Sequence, residues 1–276
     1  MNIRHQLLAL AVVFAVPTSP LSSQTPEGAS SGEIERLTYD VRWSFINLGT
    51  VTITQTTGTI DGKCHSIARM AVLSNPSIPF LDLDFVHETA FQSADLQIDR
   101  ETITTKSRPR TFYVHDAVNG SILMVDSLDG RECRRNTVSS PPPCYDVNTL
   151  LLYARRTARG NARVSLPTVI DYGVNPTEII MTGECERIDV PAFEGTVRSR
   201  HFTGIAHWVG SSFAGMSGRF EGWVSDDDAA VPLRASVKIL LGSIVLELAS
   251  YERAGWNTAA LSGHSPSIVD NQGDQR

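Results

Sequence analysis

Apolar and polar side chains alternate with a period of two along most of this chain, and that rhythm limits what it can fold into. Leu37, Tyr39, Val41 and Trp43 alternate with Thr38, Asp40, Arg42 and Ser44. Successive side chains of an extended strand point to opposite faces, so such a segment reads as a half-buried strand. The β-branched run Thr50-Val51-Thr52-Ile53-Thr54 continues the pattern after Gly49. A third strand is expected over His65 to Leu73, and an irregular loop at Asn75-Pro76 and Ile78-Pro79. Phe85, His87, Thr89 and Phe91 share one face. Near the end, Val231, Leu233, Ala235, Val237, Ile239 and Leu241 lead to Ile244, Leu246 and Leu248. The turn signals agree: Asp61-Gly62, Asn119-Gly120, Asp129-Gly130 and Gly242-Ser243 all suit the positive φ of hairpin turns.

One segment departs from this rhythm. Asp146 can cap a helix, and Val147, Leu150, Leu151, Ala154 and Ala158 follow at helical spacing. Arg155, Arg156 and Arg159 crowd its last turn, where cations suit the helix dipole, and Gly160 ends it. A helix this short is marginal alone, so it must pack on the sheet. The predicted architecture is mainly β: one antiparallel, strongly curved or partly closed, barrel-like sheet with one short packed helix. A two-sheet sandwich is the alternative.

The ends suggest export. Arg4 precedes the apolar run Leu7 to Val16, about ten residues, which suits the h-region of a signal peptide and is too short to cross a bilayer. Residues 1–23 are expected to be a signal peptide, 24–32 a polar leader, 33–253 a single β-rich domain and 254–276 a disordered tail. No later segment has the length of a transmembrane helix, so a periplasmic or extracellular location is expected. In such a location Cys64, Cys133, Cys144 and Cys185 are disulfide candidates. Four cysteines allow three connectivities. The loop-like stretch between Cys133 and Cys144 favours that pair, leaving Cys64 with Cys185; four free thiols are the alternative.

Familiar chemistries are missing. The net charge is −6, against a nucleic-acid partner, which needs a basic surface. Nucleotide-binding glycine motifs, H-E-x-x-H and C-x-x-C are absent, so no cofactor or metal is expected. Gly210-Ser211-Ser212-Phe213-Ala214 loosely resembles a nucleophile elbow, but the following glycines Gly215, Gly218 and Gly222 do not suit the helix that motif requires. His201 and His207, six apart on a strand, are about 20 Å apart, too far to share a metal. Asp226-Asp227-Asp228 reads as turn residues rather than a cation site. Trp43, Trp208 and Trp223 fall in predicted strands; they are core residues or the aromatic wall of a pocket.

Three segments together resemble the family of exported bacterial proteins catalogued as domain of unknown function 3108. They are L-T-Y-D-V-R-W-S-F-I-N-L-G-T-V at 37–51, D-V-N-T-L-L-L-Y-A-R at 146–155, and G-W-V-S-D-D-D-A-A-V-P-L-R-A-S-V-K-I-L-L-G-S-I-V-L-E-L at 222–248. The chain departs in its 133–144 insertion and in Pro141 to Pro143. The resemblance implies a mostly β protein of the bacterial envelope, and no catalytic residue. Three functions stay open: a non-enzymatic binder of an apolar or amphiphilic, lipid-like ligand in the concave sheet; a structural or interaction protein of the envelope; and a hydrolase of an envelope polymer, through paired carboxylates or Ser212 with His201 or His207.

Overall fold

The structure is a computed structural model that describes residues 33–253, apart from 61, 79–80, 107, 209–217 and 240–241. The expected signal peptide, leader, tail and Ser212 lie outside the described residues.

The chain forms β1 (Glu33–Trp43), β2 (Ile46–Ile60), β3 (Lys63–Ser74), β4 (Phe85–Phe91), β5 (Ile98–Thr105), β6 (Arg110–Asp116), β7 (Ser121–Leu128) and β8 (Arg131–Ser139). Helix α1 (Val147–Thr157) follows, then β9 (Arg163–Ile170), β10 (Gly173–Asp189), β11 (Thr196–Ala206), β12 (Gly218–Ser225), β13 (Pro232–Ile239) and β14 (Gly242–Arg253). All fourteen strands join one sheet in the order β8-β7-β6-β5-β4-β3-β2-β1-β14-β13-β12-β11-β10-β9. Two meanders thus meet at the β1–β14 pair, and every neighbouring pair is antiparallel. Among the described residues a single curved sheet with one helix is observed, not a sandwich of two sheets.

The two edges, β8 and β9, come together without a ladder between them. Tyr145 forms a parallel bridge to Thr168 on the outer edge of β9. The Tyr145 amide donates to Pro167 O at 2.9 Å, and the Val169 amide to Tyr145 O at 2.8 Å. Pro167 has no amide to offer, so it suits an edge strand. The Tyr113 hydroxyl reaches Asp171 O at 3.0 Å, the Tyr172 hydroxyl donates to the Asp126 carboxylate, and Arg134 stacks on the Tyr172 ring. Side chains and the Tyr145 bridge, rather than a β8–β9 ladder, therefore seal the seam. The free edge of β8 is solvent-exposed and carries Arg131, Glu132, Arg134 and Arg135, charges that discourage pairing with another chain.

Local chemistry explains the turns and the helix. Leu128 pairs with Arg131 across Asp129 (φ 51) and Gly130 (φ 78), a two-residue turn with both φ positive. The Gly242-Ser243 expectation is corrected: Ile239 pairs with Gly242, so the reversal comes before that dipeptide. At α1, the Asp146 carboxylate accepts from the Thr149 amide at 2.8 Å, while the Asp146 amide donates to Thr149 Oγ1 at 2.9 Å. This is a reciprocal capping box.

The last turn of α1 is held by specific partners rather than by the dipole alone. The Arg155 guanidinium grips Glu35 with two bonds of 2.6 and 2.8 Å and also donates to the carbonyls of Ala229 and Ala230. Arg156 donates to Ser93 O and Ala94 O, and Arg159 pairs with Asp228. All three arginines are structural. Leu150, Ala154 and Ala158 are buried against Phe91, Ile98, Leu166, Ile179 and Phe202, so the helix sits inside the curl of the sheet.

Burial alone would push the Glu35 carboxyl up. Arg155 and the Tyr251 hydroxyl at 2.7 Å outweigh that and hold it below its ordinary value of 4.5. A carboxyl depressed in the folded state contributes stability above its unfolded pKa and loses it as pH falls through the folded value. Denaturant unfolding of the wild type should therefore weaken below about pH 4.5, and Glu35→Gln should flatten this acid limb while lowering stability at pH 7. Equal acid slopes in the two proteins would refute the assignment.

Candidate functional site

Turns and loops collect at the two ends of the curled sheet. Helix α1 lies across one end, against the 92–97 and 226–231 connections that its arginines grip. The opposite end carries the β1–β2 turn and the 75–84 loop. Between them lies a cavity of ≈ 370 Å³, walled by β1–β4 and β10–β14 and backed by Val147, Leu150, Leu151 and Ala154 of α1. This falls within the size of small-molecule pockets, roughly 300–1,000 Å³.

The wall follows from the period-two rhythm. Tyr39, Val41, Val51, Ile53, Met70, Val72, Leu246 and Val237 are inward members of their strands and all line the space. Glycines deepen it. Phe202 pairs with Gly222, and Phe220 with Gly204. A Cβ on Gly222 would stand 2.2 Å from Phe202 Cζ, and one on Gly204 would stand 2.2 Å from Phe220 Cζ and 2.3 Å from Glu178 O. The tip of each ring therefore occupies the space that a side chain on the opposite glycine would take. Among the lining residues only Glu221 and Arg234 carry charge. Arg234 is itself paired with Glu247 at 2.6 Å. Large apolar side chains stay in water at the open end: Phe45 in the β1–β2 turn is 91% exposed and Leu73 is 56% exposed.

Two of the three candidate tryptophans border this cavity, although Trp208 stands just past the end of β11 rather than within a strand as expected. Trp208 anchors its indole N–H on Thr177 Oγ1 at 2.8 Å. Trp223 donates to Glu186 and stacks on His201, with ring centroids 4.9 Å apart. Trp43, half-buried at the end of β1, is not among the lining residues.

The remaining sequence candidates do not converge. His201 stands 3.7 Å from Glu184, and His207 3.3 Å from Glu178. Asp226 binds Arg198 and Arg200, and Asp227 accepts from Ser225 Oγ and the Ala230 amide, which makes the acidic run a turn held by ion pairs. The expected disulfides Cys133–Cys144 and Cys64–Cys185 are not formed; all four cysteines are free thiols. Cys133 is exposed on β8 while Cys144 is buried beneath the seam, where burial pushes its thiol up to about 11. A thiol with so little thiolate is a poor nucleophile.

A second feature lies beside the cavity and has no sequence motif. His87 on β4, Glu101 on β5, His115 on β6 and Asp146 at the helix cap meet in the interior. His87 Nε2 is 3.0 Å from Glu101 Oε2 and 3.2 Å from Asp146 Oδ2, and His115 Nε2 is 2.6 Å from Glu101 Oε1. Thr89 donates to Asp146, and Asn148 Nδ2 to Thr89 Oγ1 at 2.9 Å. Burial pushes Asp146 up, aided by the Glu101 charge. Burial alone would raise Glu101 as well, but its bonds to His115 and His87 hold it below the ordinary value. Glu101 pairs directly with Thr89 on β4 and Tyr113 on β6, so His87 and His115 share its face and reach it diagonally, each two residues from the direct partner. The one clue in the sequence was a histidine on the apolar face Phe85-His87-Thr89-Phe91.

Among the described residues no helix is long and apolar enough to cross a membrane. No curated protein matches the chain. Among solved structures it is similar to the crystal structure of a beta-barrel-like protein of domain of unknown function DUF1849 from Brucella abortus, with 8% identity, a TM-score of 0.49, and coverage of 80% of this chain and 98% of that one. The family model described as "Protein of unknown function (DUF3108)" matches residues 38–249, and the chain belongs to that family.

Proposed function

We propose that this domain is a binding protein, acting outside the cytoplasm, that holds an apolar or amphiphilic lipid-like molecule in the cavity between the curled sheet and α1. The observation that carries the reading is the cavity itself: ≈ 370 Å³ walled almost wholly by aliphatic and aromatic side chains. Interiors normally pack without voids larger than a water, so a space of this size signals a purpose or a large loss of packing energy. The wall supports an acyl or similar chain, and Glu221 and Arg234, the two charged residues among its lining, support a polar head. Export rests on the charged and apolar pattern of residues 1–23.

The rival readings have less support. The charged edge of β8 is poorly suited to strand addition by a partner. The carboxylates of Glu101 and Asp146, within 4.8 Å of each other, are buried away from any polymer.

The test is a titration of the delipidated full-length protein with a brominated fatty acid, which quenches nearby indoles. Saturable quenching of Trp208 and Trp223 emission, together with a lipid-like species in a solvent extract of the untreated protein, is expected. Neither quenching nor an extracted species would overturn the proposal.

A further inference from the structure

We propose that His87, Glu101 and Asp146 form a buried site for one divalent cation with zinc-like ligand preference, which ties the start of α1 to β4 and β5. The three ligand atoms come from three separate elements and all lie within 4.8 Å of one another. They offer one imidazole nitrogen and two carboxylate oxygens, a set that zinc accepts at about 2.0–2.2 Å. Around a tetrahedral ion with such bonds, neighbouring donors stand about 3.3–3.6 Å apart. The observed separations of 3.0 Å (His87 to Glu101) and 3.2 Å (His87 to Asp146) need to open by only a few tenths of an ångström.

Charge favours the same conclusion. His87 Nε2 faces two carboxylate oxygens at once, and a single proton there can serve only one of them well. Two carboxylates in a dry interior need compensation, because isolated buried charge is costly. A divalent cation balances both while leaving His87 neutral, as a ligand must be. The surroundings already orient the ligands. Glu101 Oε1 is held by His115 at 2.6 Å, Asp146 Oδ1 by the Thr149 amide at 2.8 Å, and Asp146 Oδ2 by the Thr89 hydroxyl. Outer contacts of this kind fix ring and carboxylate orientation at metal centres. Asn148, buried in the same cluster, leaves its Oδ1 without a hydrogen-bond partner among the described residues, a further oxygen at hand. With so little exposure of the cluster, the role is structural. The inference does not depend on the cavity's being a ligand site.

The experiment uses the full-length protein, stripped with a chelator and shown by circular dichroism to retain its sheet signal, or refolded if it does not. Titration with zinc chloride should show one saturable site per chain by calorimetry and should raise Tm or restore folding. Asp146→Asn keeps a good helix cap but loses the ligand charge, and His87→Gln removes the nitrogen. Each should weaken zinc binding at least tenfold and abolish the Tm shift. No saturable binding by folded wild type, or equal binding by wild type and both variants, would overturn the proposal.

Discussion

Arg155→Met should lower the unfolding free energy by about 3–5 kcal/mol, the usual loss when one partner of a buried ion pair is removed. The pair is well out of solvent: the Arg155 side chain is 10% exposed and that of Glu35 3%. The substitution strands the Glu35 carboxylate, still held by Tyr251 but without its cation, and removes the donor to the Ala229 and Ala230 carbonyls. In a domain of this size about 1 kcal/mol moves Tm by roughly 2–4 °C, so a drop of roughly 6–20 °C is expected. Thermal and urea unfolding followed by circular dichroism would measure it. Adding Glu35→Leu to Arg155→Met should recover part of the loss, because the uncompensated charge is gone. Recovery should be incomplete, since two carbonyls still lack their donor. A single substitution that cost less than about 1 kcal/mol would show that the pair does not hold α1 in the sheet.

The second large effect concerns the cavity. Ala235 lines it from β13, opposite Gly222 and Leu246 on the neighbouring strands. Ala235→Trp places an indole where an apolar ligand would sit. Overpacking a filled core is destabilising, but here the added ring has space to enter. Stability should change little, by about 1 kcal/mol or less, while affinity for the brominated fatty acid falls at least tenfold, about 1.4 kcal/mol. If binding persisted unchanged in a folded Ala235→Trp protein, the ligand would have to sit elsewhere on the molecule.

These two predictions use residues whose importance reads very differently along the chain. The inward positions of the cavity wall, such as Tyr39, Val41, Val51 and Ile53, were legible as apolar members of alternating strands. So was α1, from the Asp146 cap to the arginines of its last turn. The partner of Arg155 was not legible, because Glu35 lies 120 positions away and only the crossing of the helix through the curl brings them together. The disulfide expectation failed for the same kind of reason. Cys133 and Cys144 are close in sequence, but one faces solvent on β8 and the other faces the seam. Trp43 shows the limit of reading one strand alone: its parity matches Tyr39 and Val41, yet it stands at the strand end, outside the lining set.

By itself the order of side chains determined the class of secondary structure, the strands and many of the turns, and the capped helix, because these depend on neighbours a few positions apart. Whether β1 would pair with β14, how far the sheet would curl, and that His87, Glu101, His115 and Asp146 would meet were decided only in three dimensions. Pairing joins residues far apart in the chain, and a period of two states which face is buried without stating what that face will touch.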